Sequence, residues 1–314
     1  MTEAAVNYRT WDIDVRGGLL RVGEWDANDD GARPDAGEVP LVLAVHGITA
    51  SHLAWAPLAK ELRGVRLVAP DLRGRGRSSE LPGPWGMGQH AEDLAEVLRA
   101  AGADESRPAV VVGHSMGAFA SLVFADRYPE LVARLLLVDG GVPLEIPAGL
   151  TSQQALAAVL GPAAERLRME FPSREAYLDY WRPHPALGPL WSPELEAYLL
   201  YDLEGDAPRL RPATSLDAVA GDNRDLFGSA DVFDALARLP RPTTLLRAER
   251  GMLNQVPPLY SDEALQRAVA RFPEVRVHDV PDTNHYSIVM DQPGAAAVAA
   301  VVHGLVAEAG QEAP

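Results

Sequence analysis

At 314 residues and 47% hydrophobic content, the chain is long enough to bury one large α/β core, or one core with an inserted subdomain. A formal net charge of −16, with 44 acidic against 28 basic residues, argues against nucleic acid and anionic membranes as partners. The absence of cysteine removes disulfides, thiolate metal sites and a thiol nucleophile, leaving covalent chemistry to Ser, Thr, Asp or Lys.

Lys60 is the sole lysine, so the abundant arginines reflect compositional bias and single ones carry little weight. The start, Met1 to Val6, has neither a basic region nor an apolar run, which predicts a cytoplasmic protein without a signal peptide. No stretch approaches the roughly 20 apolar residues expected of a membrane span.

Trp11 to Val15 alternates in polarity, turns at Gly17-Gly18 and resumes at Leu19 to Val22, predicting an antiparallel hairpin. An acidic loop follows from Asp26 to Glu38. Leu41 to Val45 is unbroken and apolar, the pattern of a strand buried on both faces of a parallel sheet, and it ends in His46-Gly47-Ile48. A helix from His52 to Leu62, a strand at Val65 to Ala69 and a helix from Gln89 to Ala101 continue a βαβ alternation.

The strand Ala109 to Val112 leads into Gly113-His114-Ser115-Met116-Gly117, and Ala118 to Arg127 reads as a helix stopped by Pro129. Leu135 to Val138 is the next strand and delivers Asp139. From Pro143 to about Leu239 strand signals give way to helical segments rich in Trp and Tyr, predicting a helical cap over 143–239 inserted in a core formed by 1–142 and 240–314. Strands return at Thr243 to Leu246 and Val275 to Val277, separated by a helix over Asp262 to Phe272, and an Ala-rich helix from Gly294 closes the chain.

Gly-x-Ser-x-Gly between an apolar strand and a helix is the pattern of a nucleophile elbow. The serine occupies a strained turn, small residues flank it, and the helix N-terminus faces the site. Ser115 is therefore the candidate nucleophile, with the Met116 N–H as an oxyanion donor. The Ile48 N–H, after the earlier strand, is the candidate second donor, and His46 reads as a loop-orienting residue. Asp71-Leu72-Arg73-Gly74-Arg75-Gly76-Arg77-Ser78 lacks the Lys-Ser or Lys-Thr of a P-loop.

With the late Asn284-His285 added to these segments, the chain resembles the α/β-hydrolase superfamily over almost its whole length outside the cap. The resemblance implies a mostly parallel eight-stranded sheet, a lid between the sixth and seventh strands, and nucleophile, acid and histidine in that order. It implies His285, in Pro281-Asp282-Thr283-Asn284-His285-Tyr286, as general base. His303 reads as structural.

Family members usually carry the acid after the seventh strand, but Arg247 to Asn254 contains only Glu249, flanked by Arg247 and Arg250. Asp139 is the preferred acid, because similar proteins, zearalenone lactonases among them, carry it on the sixth strand. Glu249 is the fallback, and a strand-end cap is the alternative role for Asp139. Asp222 and Asp225 read as solvated.

These residues suggest acyl transfer on a carboxylic ester without metal or organic cofactor. Tyr177, Tyr180, Trp181, His184, Trp191, Tyr198 and Tyr201 in the cap, with Met252, Leu253 and Tyr286, suggest a bulky apolar or aromatic small-molecule substrate, plausibly a zearalenone-like macrolactone. A generic carboxylesterase, C–C bond hydrolysis, cofactor-free peroxidation and cyanohydrin cleavage on the same fold stay open, as does a ligand receptor that retains the fold. Family lids often dimerise, so a homodimer is a further open alternative.

Overall fold

The unbroken apolar runs become strands because both faces of the sheet are covered. The computed structural model describes residues 7–26, 39–146 and 149–312, so Met1 to Val6 and most of the expected acidic loop lie outside the described residues. Eight strands form the main sheet: β1 (Asn7–Val15), β2 (Gly18–Asp26), β3 (Leu41–Val45), β4 (Arg66–Pro70), β5 (Ala109–His114), β6 (Val132–Val138), β7 (Thr243–Arg250) and β8 (Val275–Asn284). Their order is β1-β2-β4-β3-β5-β6-β7-β8. The β1–β2 and β2–β4 pairings are antiparallel and the rest are parallel.

Alternate residues of the central strands serve opposite layers. Leu43, Val45, Val111, Leu135 and Leu137 pack with helices α2 (Met87–Ala100) and α3 (Met116–Arg127). Val42, Ala44, Val110, Val112, Leu136 and Val138 pack with α1 (Ala56–Glu61) and with Val298 and Val302 near the C-terminus. Each fully buried Val or Leu contributes about 1.5–3 kcal/mol relative to exposure, so the two layers supply most of the driving force.

The expected helix from His52 is split, with a 3-10 turn over His52–Trp55 preceding α1, whose first turn accommodates Pro57. Strand β8 runs further than Val277 and ends at Asn284, immediately before His285.

Between β6 and β7 lie α4 (Ser152–Leu160), α5 (Pro162–Glu165), α6 (Arg174–Trp181), α7 (Pro193–Tyr201), α8 (Leu216–Leu226) and α9 (Ala230–Ala237). A two-residue ladder also occurs there, Leu203–Glu204 with Arg211–Pro212, where no strand is expected from the sequence. The segment is not one packing unit. Phe171, Tyr177, Trp181, Leu195, Leu199 and Leu210 form a separate cluster, whereas Val219, Leu226, Val232 and Leu236 join the main core. As a packing unit the cap is therefore narrower than 143–239.

Helix α10 (Asp262–Arg271) lies between β7 and β8, and α11 (Ser287–Met290) and α12 (Gln292–Glu312) follow β8. Contrary to the expectation that no stretch approaches a span, residues 292–311 are long and apolar enough to cross a membrane by length and composition alone. Ala295, Val298, Ala299 and Val302 of this helix are buried against the sheet.

Buried ion pairs tie the inserted segment to the core. Arg75 and Asp222 are both fully buried and lie 2.6 Å apart. Asp222 also accepts the Gly86 N–H at 2.6 Å and meets His90 Nε2 at 3.1 Å. Asp222 is thus not the solvated residue expected from sequence. Burial opposes its charge, but His90 and Arg75 outweigh burial and hold its carboxyl well below the usual range. Asp225 is likewise engaged, accepting the Met87 N–H at 2.7 Å.

Asp222→Ala strands the Arg75 guanidinium in the interior and is expected to destabilise the fold by about 3–5 kcal/mol. A urea melt reads this as a lowered midpoint, and a midpoint matching wild type would show that the pair does not hold the two segments together.

Candidate active site

Ser115 lies between β5 and α3 at φ 56° and ψ −125°, a conformation that L-residues rarely adopt. The flanking glycines are required by contact: a Cβ at Gly113 would lie 2.4 Å from the Gly117 carbonyl oxygen, and one at Gly117 would lie 2.1 Å from that of Val45. The Ser115 N–H donates to Val138 O at 2.9 Å, fixing the turn to the end of β6. Unlike its buried neighbours, Ser115 is partly exposed.

Asp139 follows β6 with φ 45° and is fully buried. Its Oδ1 accepts the Ala248 N–H at 3.2 Å, and its own N–H donates to Leu246 O at 2.7 Å, so β7 holds it on both sides. Its Oδ2 lies 2.6 Å from His285 Nδ1. A carboxylate accepts only, which places the proton of neutral His285 on Nδ1 and leaves the Nε2 lone pair free to take a proton.

Two motif residues given no role of their own by the sequence fix the His285 loop. His114, inside the elbow motif, is placed with Nε2 2.8 Å from His285 O, to which it donates as Nε2–H. Asn284 Oδ1 accepts the N–H groups of Tyr286 and Ser287, both at 2.9 Å. The letter at position 114 signals nothing by itself, since its role depends on a partner 171 residues away.

Among the described residues, Glu249 is bonded to the Asp282 N–H and Arg250 and to neither His285 nor Asp139. It belongs to β7, is exposed, and accepts the Asp282 N–H at 2.9 Å while pairing with Arg250 at 3.4 Å.

Gly47 packs so closely on Ser115 that a Cβ there would sit 3.1 Å from Ser115 Cβ, which brings the Ile48 loop beside the elbow. His46 orients this loop: Nε2 accepts the Leu72 N–H at 2.9 Å, so Nδ1 carries the proton donated to Gly47 O at 2.8 Å. Met116 opens α3, and first-turn N–H groups have no partner within their helix. Arg75 touches both oxyanion candidates, donating from Nε to Ile48 O at 2.9 Å and from Nη2 to Met116 Sδ at 3.7 Å.

Of the expected substrate-contacting residues, Tyr177, Trp181, Tyr198 and Tyr286 line a cavity of about 20 Å³ between the cap segment and the loop after β3. The others lie elsewhere. His184 is buried between the rings of Trp181 and Tyr286. Trp191 donates to Glu196 at 2.6 Å and lies under Arg182. Met252 packs into the main core and Leu253 lies beside Gly161. Tyr180 packs on Phe171, and Tyr201 donates to buried Asp71 at 2.7 Å. Much of the aromatic density is thus the cap's own packing.

The chain belongs to the α/β-hydrolase family, whose model matches residues 40–291. It is 28% identical over 264 residues to a 2-(acetamidomethylene)succinate hydrolase of Mesorhizobium japonicum, covering 80% of this chain and 84% of that one. A lipase of Mycobacterium tuberculosis is 38% identical over 104 residues, 33% of this chain and 38% of the lipase. Among solved structures, an E-2-(acetamidomethylene)succinate hydrolase superposes with a TM-score of 0.73 at 23% identity, covering 96% of this chain and 100% of that one. A thioesterase domain from the curacin biosynthetic pathway gives 0.70 at 24% identity, covering 96% and 99%. The likeness to these structures shows the shared fold.

The buried histidines set an acid limit. Burial lowers His46 from 6.5 to about 4, and burial followed by the neighbouring His285 charge puts His114 well below 6.5. The unfolded chain therefore binds more protons below pH 6.5, and stability is complete above that pH and falls as pH drops toward 4. Each histidine contributes a slope of up to about 1.4 kcal/mol per pH unit. Urea unfolding is expected to show a lower free energy at pH 5.5 than at pH 7.5, and equal values would contradict the neutral assignments.

Proposed function

We propose that this protein is a serine hydrolase cleaving a carboxylic ester through an acyl-enzyme. The observation that carries the reading is the buried His285–Asp139 contact of 2.6 Å in a fold whose strained elbow presents Ser115. His285 Nε2 takes the Ser115 hydroxyl proton as Oγ attacks the carbonyl carbon, and the Ile48 and Met116 N–H groups receive the oxyanion. Collapse of the tetrahedral intermediate expels the alcohol, which takes the proton back from His285. Water, deprotonated by His285, then releases the acid and restores Ser115. Asp139 holds the ring and stabilises its protonated form.

Much of the cap's aromatic surface is engaged in its own packing, so those residues no longer favour a zearalenone-like macrolactone over a simpler ester. A second reading draws on the Mesorhizobium relative, whose named substrate is a succinate and hence a dicarboxylate. Such a substrate calls for free cations, whereas the buried Arg75 and Arg166 are paired with Asp222 and Asp202. The ester reading therefore leads.

Ser115→Ala is expected to abolish p-nitrophenyl ester hydrolysis and fluorophosphonate labelling while leaving the melting temperature within a few degrees of wild type. Retained turnover in a correctly folded variant would refute Ser115 as nucleophile.

A further inference from the structure

The cavity between the cap segment and the β3 loop includes Thr49, Arg166, Trp181, Asp202 and Tyr286 in its wall. The Tyr286 ring meets the His285 ring edge-on with centroids 5.7 Å apart, so the cavity wall reaches the proposed general base, and the inference rests on that reading.

Its wall is unbalanced in hydrogen bonding. Arg166 is buried, with Nη1 on Asp202 and Nη2 donating to Thr49 O at 3.1 Å, yet its Nε has no partner among the described residues. The Tyr286 hydroxyl is also buried and unpartnered among the described residues. The Trp181 indole N–H lies beside the Tyr177 hydroxyl without reaching hydrogen-bond geometry. The wall's own carboxylate is occupied: Asp202 receives Arg166, the Tyr177 hydroxyl at 2.8 Å and the Thr214 hydroxyl at 3.3 Å. Surplus donors of this kind carry a desolvation cost that an incoming oxygen acceptor would offset.

Charge narrows the class of acceptor. Asp202 already neutralises Arg166, so an entering carboxylate would set a second buried anion against the first. A ketone, ester or amide oxygen supplies lone pairs without that repulsion. The geometry points to a subsite for an uncharged carbonyl oxygen of the substrate, distinct from the scissile one, with Arg166 and Tyr286 as donors and Trp181 beside them. A substrate bearing this second carbonyl is selected over its plain alkyl counterpart because the alkyl chain leaves the donors unsatisfied.

The test is calorimetric titration of the Ser115→Ala variant with aryl esters of 4-, 5- and 6-oxo acids, their unsubstituted parents and matched carboxylate-terminated analogues. At least one oxo ester is expected to bind roughly tenfold or more tightly than its parent. Adding Tyr286→Phe or Trp181→Phe, which keep an aromatic ring for packing, should shrink that ratio toward one. Equal binding of oxo and parent esters, tighter binding of the carboxylate analogue, or a ratio that survives both substitutions overturns the subsite. Turnover of the same esters by the unmodified protein separates the two claims. An oxo preference without turnover refutes ester hydrolysis alone, and turnover without the preference refutes the subsite alone.

Discussion

The contact between Asp139 Oδ2 and His285 Nδ1 is the constraint on which the site depends, because it joins the end of β6 to the residue that follows β8 across two strand intervals. A carboxylate with no solvent exposure is tolerable only when its oxygens are bonded. Asp139 meets that condition with the His285 ring on one oxygen and the Ala248 N–H on the other. The same strand end accepts the Ser115 N–H through Val138 O, so the proposed nucleophile, base and acid are referred to one point on the sheet.

Around this point the protein repeatedly uses buried charge as a joint. Arg75 connects the Ile48 loop and Met116 of α3 to Asp222 in α8, and Arg166 connects the β3 loop to Asp202 beyond α7. Asp71 accepts from His52 on the core side and from Tyr201 on the cap side. Its carboxyl, opposed by burial but favoured by His52 and His46 together, is drawn down to about 2. Such pairs add little net stability against apolar replacements, but removing one partner is costly, so they fix how the inserted segment sits over the elbow. Position is what the proposed acyl transfer would demand of a lid.

Much of the core was legible in the sequence because a parallel sheet covered on both faces leaves a direct trace: Leu41 to Val45, Ala109 to Val112 and Leu135 to Val138 are apolar without interruption. The elbow was legible because its geometry admits few side chains at 113 and 117. The absence of an aspartate after β7 directed attention to Asp139, and that residue is the carboxylate bonded to His285. What local pattern could not convey was pairing across the chain. Asp222 reads as a surface acid until its partners, 147 and 132 residues away, are seen. Likewise, Trp191, Met252 and Leu253 resemble pocket residues by type, while their contacts are a surface carboxylate, the main core and Gly161. Aromatic residues in a cap report burial, and burial alone does not distinguish packing from contact with substrate.

The central claim, that Asp139 and not Glu249 completes the site, is tested most directly by kcat for ester hydrolysis in Asp139→Asn and Glu249→Gln. The account predicts a loss on the order of 10⁴-fold in Asp139→Asn, because an amide in place of the carboxylate no longer favours the Nδ1–H form of His285. Glu249→Gln should remain within a few-fold of wild type, since its carboxylate bonds, among the described residues, to the Asp282 N–H and Arg250. A large loss in Glu249→Gln with near-normal turnover in Asp139→Asn would contradict it.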